Sequence, residues 1–247
     1  MNTRTTLLLA FLAGLGLTLL AGPPASAQDA AAILEKVDGY RQLSASFTLD
    51  VKLTDYDSDQ LQEEMRMSGF FAGDDKSVLV VRSGKNKGMK VLLKGDDMWV
   101  NLTGSKRGLR ITPMQRLMGQ AANGDVAKVA FAHDYAGTVL SRDGNSLVLD
   151  LRAKSPGATY QRVTLTINAA TFRPEKAEFF LLSGKHFKTA YYLEYARFDD
   201  REGVSKVKIQ DQLNPKLYTI METSNYHKTA IPEKYFNVMF LPNLEID

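Results

Sequence analysis

The sequence predicts a mainly β (α+β) fold in which one large antiparallel sheet curls into a barrel or half-barrel. Residues 45–54 alternate strictly between apolar and polar side chains, as in a strand with one buried and one wet face. Further β-rich segments follow, separated by turns rich in glycine, asparagine and aspartate and by no crossover of βαβ length. A sheet of about ten strands is expected to curl on itself.

The first 27 residues predict a secretion signal. Arg4 provides the positive charge, residues 7–20 form an apolar run, and Ala25-Ser26-Ala27 supplies the small residues that a signal peptidase recognises. The apolar run is shorter than the roughly 20 residues that span a bilayer. We therefore predict cleavage after Ala27 and a soluble exported protein with a single domain, residues 28–247, for which a bacterial periplasm fits as well as any compartment. The alternative is an uncleaved anchor.

Composition and motifs indicate binding rather than catalysis. The chain has no cysteine, which excludes disulfides and thiol catalysis. Without Arg4, 30 basic side chains face 28 acidic ones, and this net charge of +2 gives no general case for nucleic acid binding. His133, His186 and His227 match no metal-ligand spacing, and no nucleophile elbow, phosphate loop or dinucleotide fingerprint is present. We predict no enzyme activity, no catalytic residue, no metal and no cofactor.

The predicted elements begin with a short helix and continue as strands. Asp29 caps the helix, Leu34 and Val37 lie on its apolar face, and Gly39 lies near its end. Alternation and turn residues then define the strands. The predicted strands are 45–54, 61–72, 77–82, 89–93, 98–102, 107–111, 136–140, 147–151, 160–167, 176–182, 188–198, 204–210 and 217–226.

Residues 112–133 interrupt the strands and predict a helical lid or plug. Thr112 is a suitable N-cap, Pro113 suits the first helical position, and Gly119 is a suitable stop. The apolar face has the i, i+3, i+4 spacing of a helix: Met114, Leu117 and Met118. A second short helix is predicted from Asp125 through Val126, Val129 and Ala130 to His133.

Apolar side chains occupy consecutive positions in several strands, including residues 78–81, 91–93 and 177–182. Such strands need cover on both faces. An ordinary core under a covering helix and an adaptable apolar cavity, which the many methionines would suit, both remain open. The candidate residues for the cavity and its lid are Phe70, Trp99, Met114, Leu117, Met118, Phe131, Phe179 and Leu181.

Positive charge concentrates in residues 85–116, where eight basic residues face two acidic ones. This segment is either a set of solvated hairpin ends or a surface for an acidic partner or anionic headgroups. The candidate contact residues are Lys85, Lys87, Lys106, Arg107, Arg110 and Arg116.

The chain also resembles a known family in three segments of this region. These are residues 90–100 (KVLLKGDDMWV), 106–111 (KRGLRI) and 115–119 (QRLMG). They resemble the LolA-like family of outer-membrane lipoprotein-sorting proteins, in its broader branch rather than the lipoprotein carrier proper. The closing segment, residues 231–244, is also similar to the end of that family. Residues 101–104 and 120–125 depart from the family pattern.

The resemblance implies an unclosed β-barrel, partly plugged by helices, with an apolar concave face that takes acyl chains. The expected function is a monomeric periplasmic carrier or chaperone that binds lipid or lipoprotein acyl chains for outer-membrane sorting or lipid export. An inner-membrane lipid exporter is an expected partner. The alternative is a periplasmic sensor or interaction module of the same fold, acting through its basic surface on a protein partner. The sequence does not identify the cargo.

Overall fold

The computed structural model describes residues 27–128 and 130–244. Apart from Ala27, the predicted secretion signal lies outside the described residues. The strands are β1 (Ser46–Asp57), β2 (Gln60–Ala72), β3 (Lys76–Val81), β4 (Lys90–Lys94), β5 (Asp97–Asn101), β6 (Leu109–Ile111), β7 (Arg116–Met118), β8 (Ala121–Ala122), β9 (Tyr135–Asp143), β10 (Ser146–Ala153), β11 (Arg162–Asn168), β12 (Pro174–Phe180), β13 (His186–Phe198), β14 (Arg201–Asp211) and β15 (Leu217–Lys228). The helices are α1 (Ala27–Asp38), α2 (Asn123–Ala127) and α3 (Phe131–Asp134), with 3-10 helices at Glu233–Phe236 and Leu241–Asn243.

Thirteen of these strands form one antiparallel sheet in the order β6-β5-β4-β3-β2-β1-β15-β14-β13-β12-β11-β10-β9. All neighbours except β1 and β15 are consecutive in the chain, so the sheet is a meander that turns back at the pairing of its first and last strands. Within the described residues, the edge strands β6 and β9 are not paired with each other. The sheet therefore remains unclosed, and every predicted strand is present with ends shifted by a few residues.

Both faces of the sheet are apolar, as the consecutive apolar positions predicted. In β3, Leu79 and Val81 belong to the large inner core, whereas Val78 and Val80 belong to a second cluster on the outer face. The C-terminal segment, residues 231–244, covers this outer cluster. Its Phe236 is buried there beside strands β3 and β4. The outer cover is thus the end of the chain itself.

Helix α1 packs against β9 at one end of the sheet, as its apolar face predicted. Leu34 and Val37 are buried in the inner core. Leu34 lies directly over Gly137 in β9, where a Cβ would be 3.5 Å from Leu34 Cδ1, at ordinary van der Waals distance. In the described part of the chain, no helix combines the length and the apolar character needed to cross a bilayer.

The predicted lid helix after Thr112 is wrong. The segment forms a β-hairpin instead, in which Met118 pairs with Ala121 and Gly119 takes a left-handed φ of +53° in the turn. Tertiary contacts hold the hairpin extended: the backbone N–H of Gln120 donates to Thr219 Oγ1 on the sheet at 2.7 Å. Three apolar residues at helical spacing are too weak a signal to outweigh such contacts.

The second predicted helix is divided in two. Asp125 lies in α2 and His133 lies in α3, while Val129 is outside the described residues. We call residues 116–128 and 130–134, which comprise the β7–β8 hairpin, α2 and α3, the cover. Its buried side chains close over the inner face of the sheet.

Replacement of Gly119 tests how tightly the cover sits on the sheet. A Cβ at Gly119 would lie 2.0 Å from Asp55 Oδ1 and 2.4 Å from Thr219 Oγ1. We expect Gly119→Ala to lower the free energy of unfolding, measured in urea, by about 2–3 kcal/mol.

The matched control is Gly95→Ala. Gly95 has a similar φ of +59°, but no neighbour lies within 4 Å of its Cβ position. Its loss should be about 1 kcal/mol, the cost of the left-handed backbone alone. Equal losses in the two variants would show that the hairpin does not rest closely on the sheet.

Candidate functional site

The cover closes a small pocket inside the curled sheet. The pocket has a volume of about 50 Å³. A single water needs about 10–15 Å³ of such space, and ligand pockets commonly measure about 300–1,000 Å³. The interior therefore has room for a few waters in this closed arrangement. The apolar and aromatic lining residues include Phe131, Tyr135, Tyr160, Phe179, Ala190, Tyr192, Val207, Ile209 and Met221.

A much larger cleft opens beside the cover, in the gap between the two sides of the unclosed sheet. Its volume is about 710 Å³. One wall comes from β6 and residues 112–115, and the other comes from residues 156–161 and 180–182. Thr159 and Tyr160 line both the cleft and the interior pocket. These two residues therefore belong to the partition between the two spaces.

Thr159 has an unusual chemical position in this partition. Its side chain is buried, and its hydroxyl oxygen has no hydrogen-bond partner among the described residues. An unsatisfied buried hydroxyl costs about 1–3 kcal/mol. A hydrogen-bonding group that entered the site from the cleft would recover that cost.

A buried ion pair ties the cover to the sheet. Lys188 on β13 is only 2% exposed, and its Nζ pairs with the carboxylate of Asp125 in α2 and donates to the Gln120 carbonyl at 3.0 Å. The hydroxyl of Tyr160 donates to the other Asp125 oxygen at 2.9 Å. Burial lowers the pKa of Lys188, which the Asp125 charge opposes, and raises the pKa of Tyr160.

A second polar contact ties the cover to α1. The carboxylate of Asp38 accepts the backbone N–H groups of Phe131 at 2.6 Å and Ala132 at 2.7 Å, at the start of α3. Burial raises the pKa of Asp38 to about 6, despite these two hydrogen bonds. Within the cover, Lys128 and Asp134 form another buried ion pair at 2.9 Å. Charged contacts thus fix the position of the cover, in addition to its apolar packing on the inner core.

Six of the eight predicted cavity residues lie in or beside the two spaces or in the cover, in three groups. Phe131 and Phe179 line the interior pocket, and Met114 and Leu181 line the cleft. Two others, Leu117 and Met118, are buried in the inner core within β7 of the cover. Whether these six residues contact a ligand remains a prediction.

The positions expected for Phe70 and Trp99 need correction. Both pack in the outer cluster under the C-terminal segment, where the ring of Phe70 lies 5.6 Å from that of Tyr235. They are absent from the linings of the described pocket and cleft. Neighbouring strand residues point to opposite faces, so Phe71 and Met98 occupy the inner face in their place.

Four of the six predicted basic residues come together at one end of the sheet. They lie on the β3–β4 and β5–β6 loops: Lys85, Lys87, Lys106 and Arg107. The loops touch where Thr103 Oγ1 donates to the Lys87 carbonyl at 2.7 Å. The other two lie apart, because Arg110 pairs with Asp97 beside the cleft and Arg116 belongs to the cover.

The histidines occupy unrelated positions. His133 Nδ1 lies 2.9 Å from Asp134, His186 bonds Thr189 at 3.0 Å, and His227 is exposed on β15. Across residues 27–128 and 130–244, no group of three or more histidine, aspartate or glutamate side chains is placed to hold a metal ion.

Sequence reasoning missed the two charged residues that fix the cover. Lys188 shares its strand parity with Ala190 and Tyr192, which face the inner pocket, so alternation alone could have placed it inside. Asp38 follows Leu34 by four residues on the apolar face of α1 and sits at the helix end where a negative charge is unfavourable. Both are polar residues at apolar positions.

The pKa of Asp38 predicts a pH dependence. The folded-state pKa of Asp38, about 6, lies above its unfolded value of 3.8. The protonated form therefore favours folding, and its contribution to stability is complete below pH 3.8 and is lost as the pH rises through 6. Between pH 5 and pH 7 the free energy of unfolding should fall by about 1–2 kcal/mol from this group.

The measurement is urea unfolding of the protein and of Asp38→Asn across this pH range. The variant should lack this part of the pH dependence, because its amide does not titrate. Parallel pH profiles for the two proteins would refute the assignment.

Comparisons with known proteins identify a matching family model and solved structures with a similar fold. A family model described as that of an uncharacterized protein matches residues 73–243. No curated protein sequence matches the chain. A LolA superfamily protein from Nitrosomonas europaea is 29% identical, with a TM-score of 0.79 over 86% of this chain and 98% of that one.

Two further solved structures share the fold alone. A DUF1329 family protein from Desulfovibrio piger is 17% identical, with a TM-score of 0.70 over 85% of this chain and 95% of that one. A domain from Vibrio parahaemolyticus, provisionally described as an outer-membrane lipoprotein-sorting protein, is 18% identical, with a TM-score of 0.71 over 86% and 97% of the two chains. The family match over most of the chain, together with the unclosed sheet shared with the LolA superfamily structure, shows that this protein belongs to the LolA-like family.

Proposed function

We propose that this protein is a periplasmic carrier that holds the acyl chain of a lipid or lipoprotein between its curled sheet and its cover. The observation that carries the proposal is an apolar interior pocket that shares two lining residues, Thr159 and Tyr160, with a 710 Å³ cleft. The description of one fold relative as a lipoprotein-sorting protein supports the same direction. The carrier would act as a monomer, without catalysis, and would receive cargo from an inner-membrane lipid exporter.

Carriage requires the cover to move. A pocket of about 50 Å³ does not hold an acyl chain, so the protein must reach a second, open state. The cover is suited to this movement because its hairpin is a separate two-stranded sheet outside the thirteen-stranded one. Opening would expose the inner apolar face, and each methylene buried there would contribute about 0.8 kcal/mol to binding.

The cleft is the proposed entrance. Met114 and Leu182 on its walls are 45% and 86% exposed, which leaves apolar surface for an incoming chain to cover. From the cleft, the chain would pass the Tyr160 ring and reach the pocket beside Phe179. The rings of these two residues are 4.4 Å apart, so they would move together or separate as the chain enters.

The unpartnered Thr159 hydroxyl defines the chemistry of the cargo more closely. It would donate a hydrogen bond to the ester or amide carbonyl that joins an acyl chain to its headgroup or protein. The tail would then lie in the interior, and the polar part would lie in the cleft. A pure hydrocarbon would not use this hydroxyl.

Replacement of Thr159 by valine separates binding from stability. Valine keeps the shape and removes the unsatisfied hydroxyl, so Thr159→Val should raise the free energy of unfolding by about 1–2 kcal/mol. The same change should weaken binding of a fluorescent acyl ester about 2- to 10-fold, because the carbonyl loses its donor.

Thr54→Val is the matched control. Thr54 Oγ1 is also buried without a partner in the described structure, but Thr54 is in β1 and lines neither the pocket nor the cleft. This variant should gain stability and bind the ester normally. Weaker binding in both variants, or in neither, would remove Thr159 from the site.

The function itself is tested by analysing what the protein carries. Protein purified from cell envelopes should release an acyl-containing molecule on solvent extraction, identified by mass spectrometry, and should take up labelled acyl chains when emptied. Ala190→Phe should block uptake, because Ala190 lines the pocket; Ala196→Phe, in the same strand but outside that lining, should not. Absence of both bound lipid and uptake would end the carrier proposal.

A further inference from the structure

We infer that the end of the sheet formed by the β3–β4 and β5–β6 loops is a docking surface for an anionic lipid bilayer. We call residues 82–89 and 102–108 the basic end. This inference concerns where the protein binds, not what its interior holds. It therefore goes beyond the proposed carrier function, and either one can fail without the other.

The basic end carries charge of one sign. Its two loops contain five basic residues and no acidic residue. In the described structure, the exposed side chains of Lys87, Lys106 and Arg107 have no ion-pair partner, and Lys85 is 3.7 Å from Glu63. Each such cation raises the affinity for an anionic leaflet about fivefold.

The loops that carry these charges are held in a fixed arrangement. Asn101, only 3% exposed, donates from Nδ2 to the carbonyl of Ser105 at 3.0 Å and to that of Arg107 at 3.2 Å. The Thr103 hydroxyl joins this loop to Lys87 on the other. The cations are therefore presented together by an ordered surface.

Exposed apolar side chains accompany the charges. Leu102 lies in the β5–β6 loop itself, and Leu109 follows that loop; each is about half exposed. Met239 is 84% exposed and follows Val238, which packs on Gly108. Cations beside exposed leucine and methionine match the two layers of a membrane interface, in which headgroup phosphates lie above acyl chains.

An acidic protein surface fits the basic end less well. Specific protein interfaces are enriched in tyrosine, tryptophan and phenylalanine. Neither loop contains an aromatic residue. Unpaired lysine and arginine side chains with long flexible stems suit a fluid array of phosphates, which does not require fixed partners.

Docking in this way would leave the cleft accessible. The β4–β5 turn, which lines the cleft through Asp96 and Asp97, lies at one end of β5, and the basic end begins at the other. Five residues of strand separate that turn from the basic end by about 16 Å, and the cleft comes nearer only along β6, where Arg110 lies two residues beyond the β5–β6 loop. The protein could therefore rest on a membrane while cargo enters or leaves from the side.

The test is co-sedimentation of the purified protein with phosphatidylcholine vesicles, with and without phosphatidylglycerol. We expect binding that requires phosphatidylglycerol and is lost at high salt. The triple variant Lys87→Gln, Lys106→Gln and Arg107→Gln should bind about 100-fold more weakly. Leu102→Ser should weaken the binding that remains at intermediate salt.

The control removes the same charge elsewhere, at exposed residues that have no ion-pair partner in the described structure. This control variant is Arg142→Gln, Lys185→Gln and Lys216→Gln. It should bind the vesicles as the original protein does. Equal binding to both vesicle types, or equal weakening in the two triple variants, would overturn the inference. So would capture of an acidic protein that depends on Lys106 and Arg107 when no vesicle binding occurs.

Discussion

An antiparallel sheet of thirteen strands that curls without closing leaves a concave apolar face that must be kept from water. The remaining elements serve this constraint. Helix α1 packs at the β9 side, the cover closes over the inner face, and the C-terminal segment protects the outer cluster. The sheet has no disulfide and its edges are not joined. The packing of α1, the cover and the C-terminal segment on the sheet therefore determines whether the interior is filled, closed or open.

The C-terminal segment and the cover are held on the sheet by different interactions. The C-terminal segment is anchored by fully buried apolar side chains such as Phe236 and Leu241, whereas the cover combines apolar packing with buried charges contributed by Lys188, Asp125 and Asp38. Buried ion pairs are weak evidence for stability, since their desolvation offsets much of their attraction. Buried ion pairs nevertheless fix the cover in one position, because any shift that left one of these buried charges unpaired would cost free energy. A cover held in this way has one specific closed position, and the proposed carrier function requires that it also open.

The parts of the fold set by local chemistry could be predicted from the sequence, and the parts set by tertiary contact could not. Period-two alternation in β1 and the glycine and aspartate turns identified all thirteen strands of the main sheet. The helix proposed for Met114, Leu117 and Met118 became a hairpin because Gly119 lies against Asp55 and Gln120 donates to Thr219, which is 99 residues away in the sequence. Phe70 and Trp99 could not be assigned to a face, since β2 and β5 are covered on both sides. The contact between the β3–β4 and β5–β6 loops, through Thr103 and Lys87, follows from the strand order and was not visible in the sequence pattern.

The most direct measurement of the central claim is native-state hydrogen exchange, which compares the amides of the cover with those of β1 and β15. If the cover opens on a sheet that stays folded, its amides should exchange through openings that cost much less free energy than global unfolding. Amides in the middle of β1 and β15 should exchange only when the whole protein unfolds. Exchange of the cover amides with the same free energy as those two strands would mean that the interior opens only when the protein unfolds, and the carrier account would be contradicted.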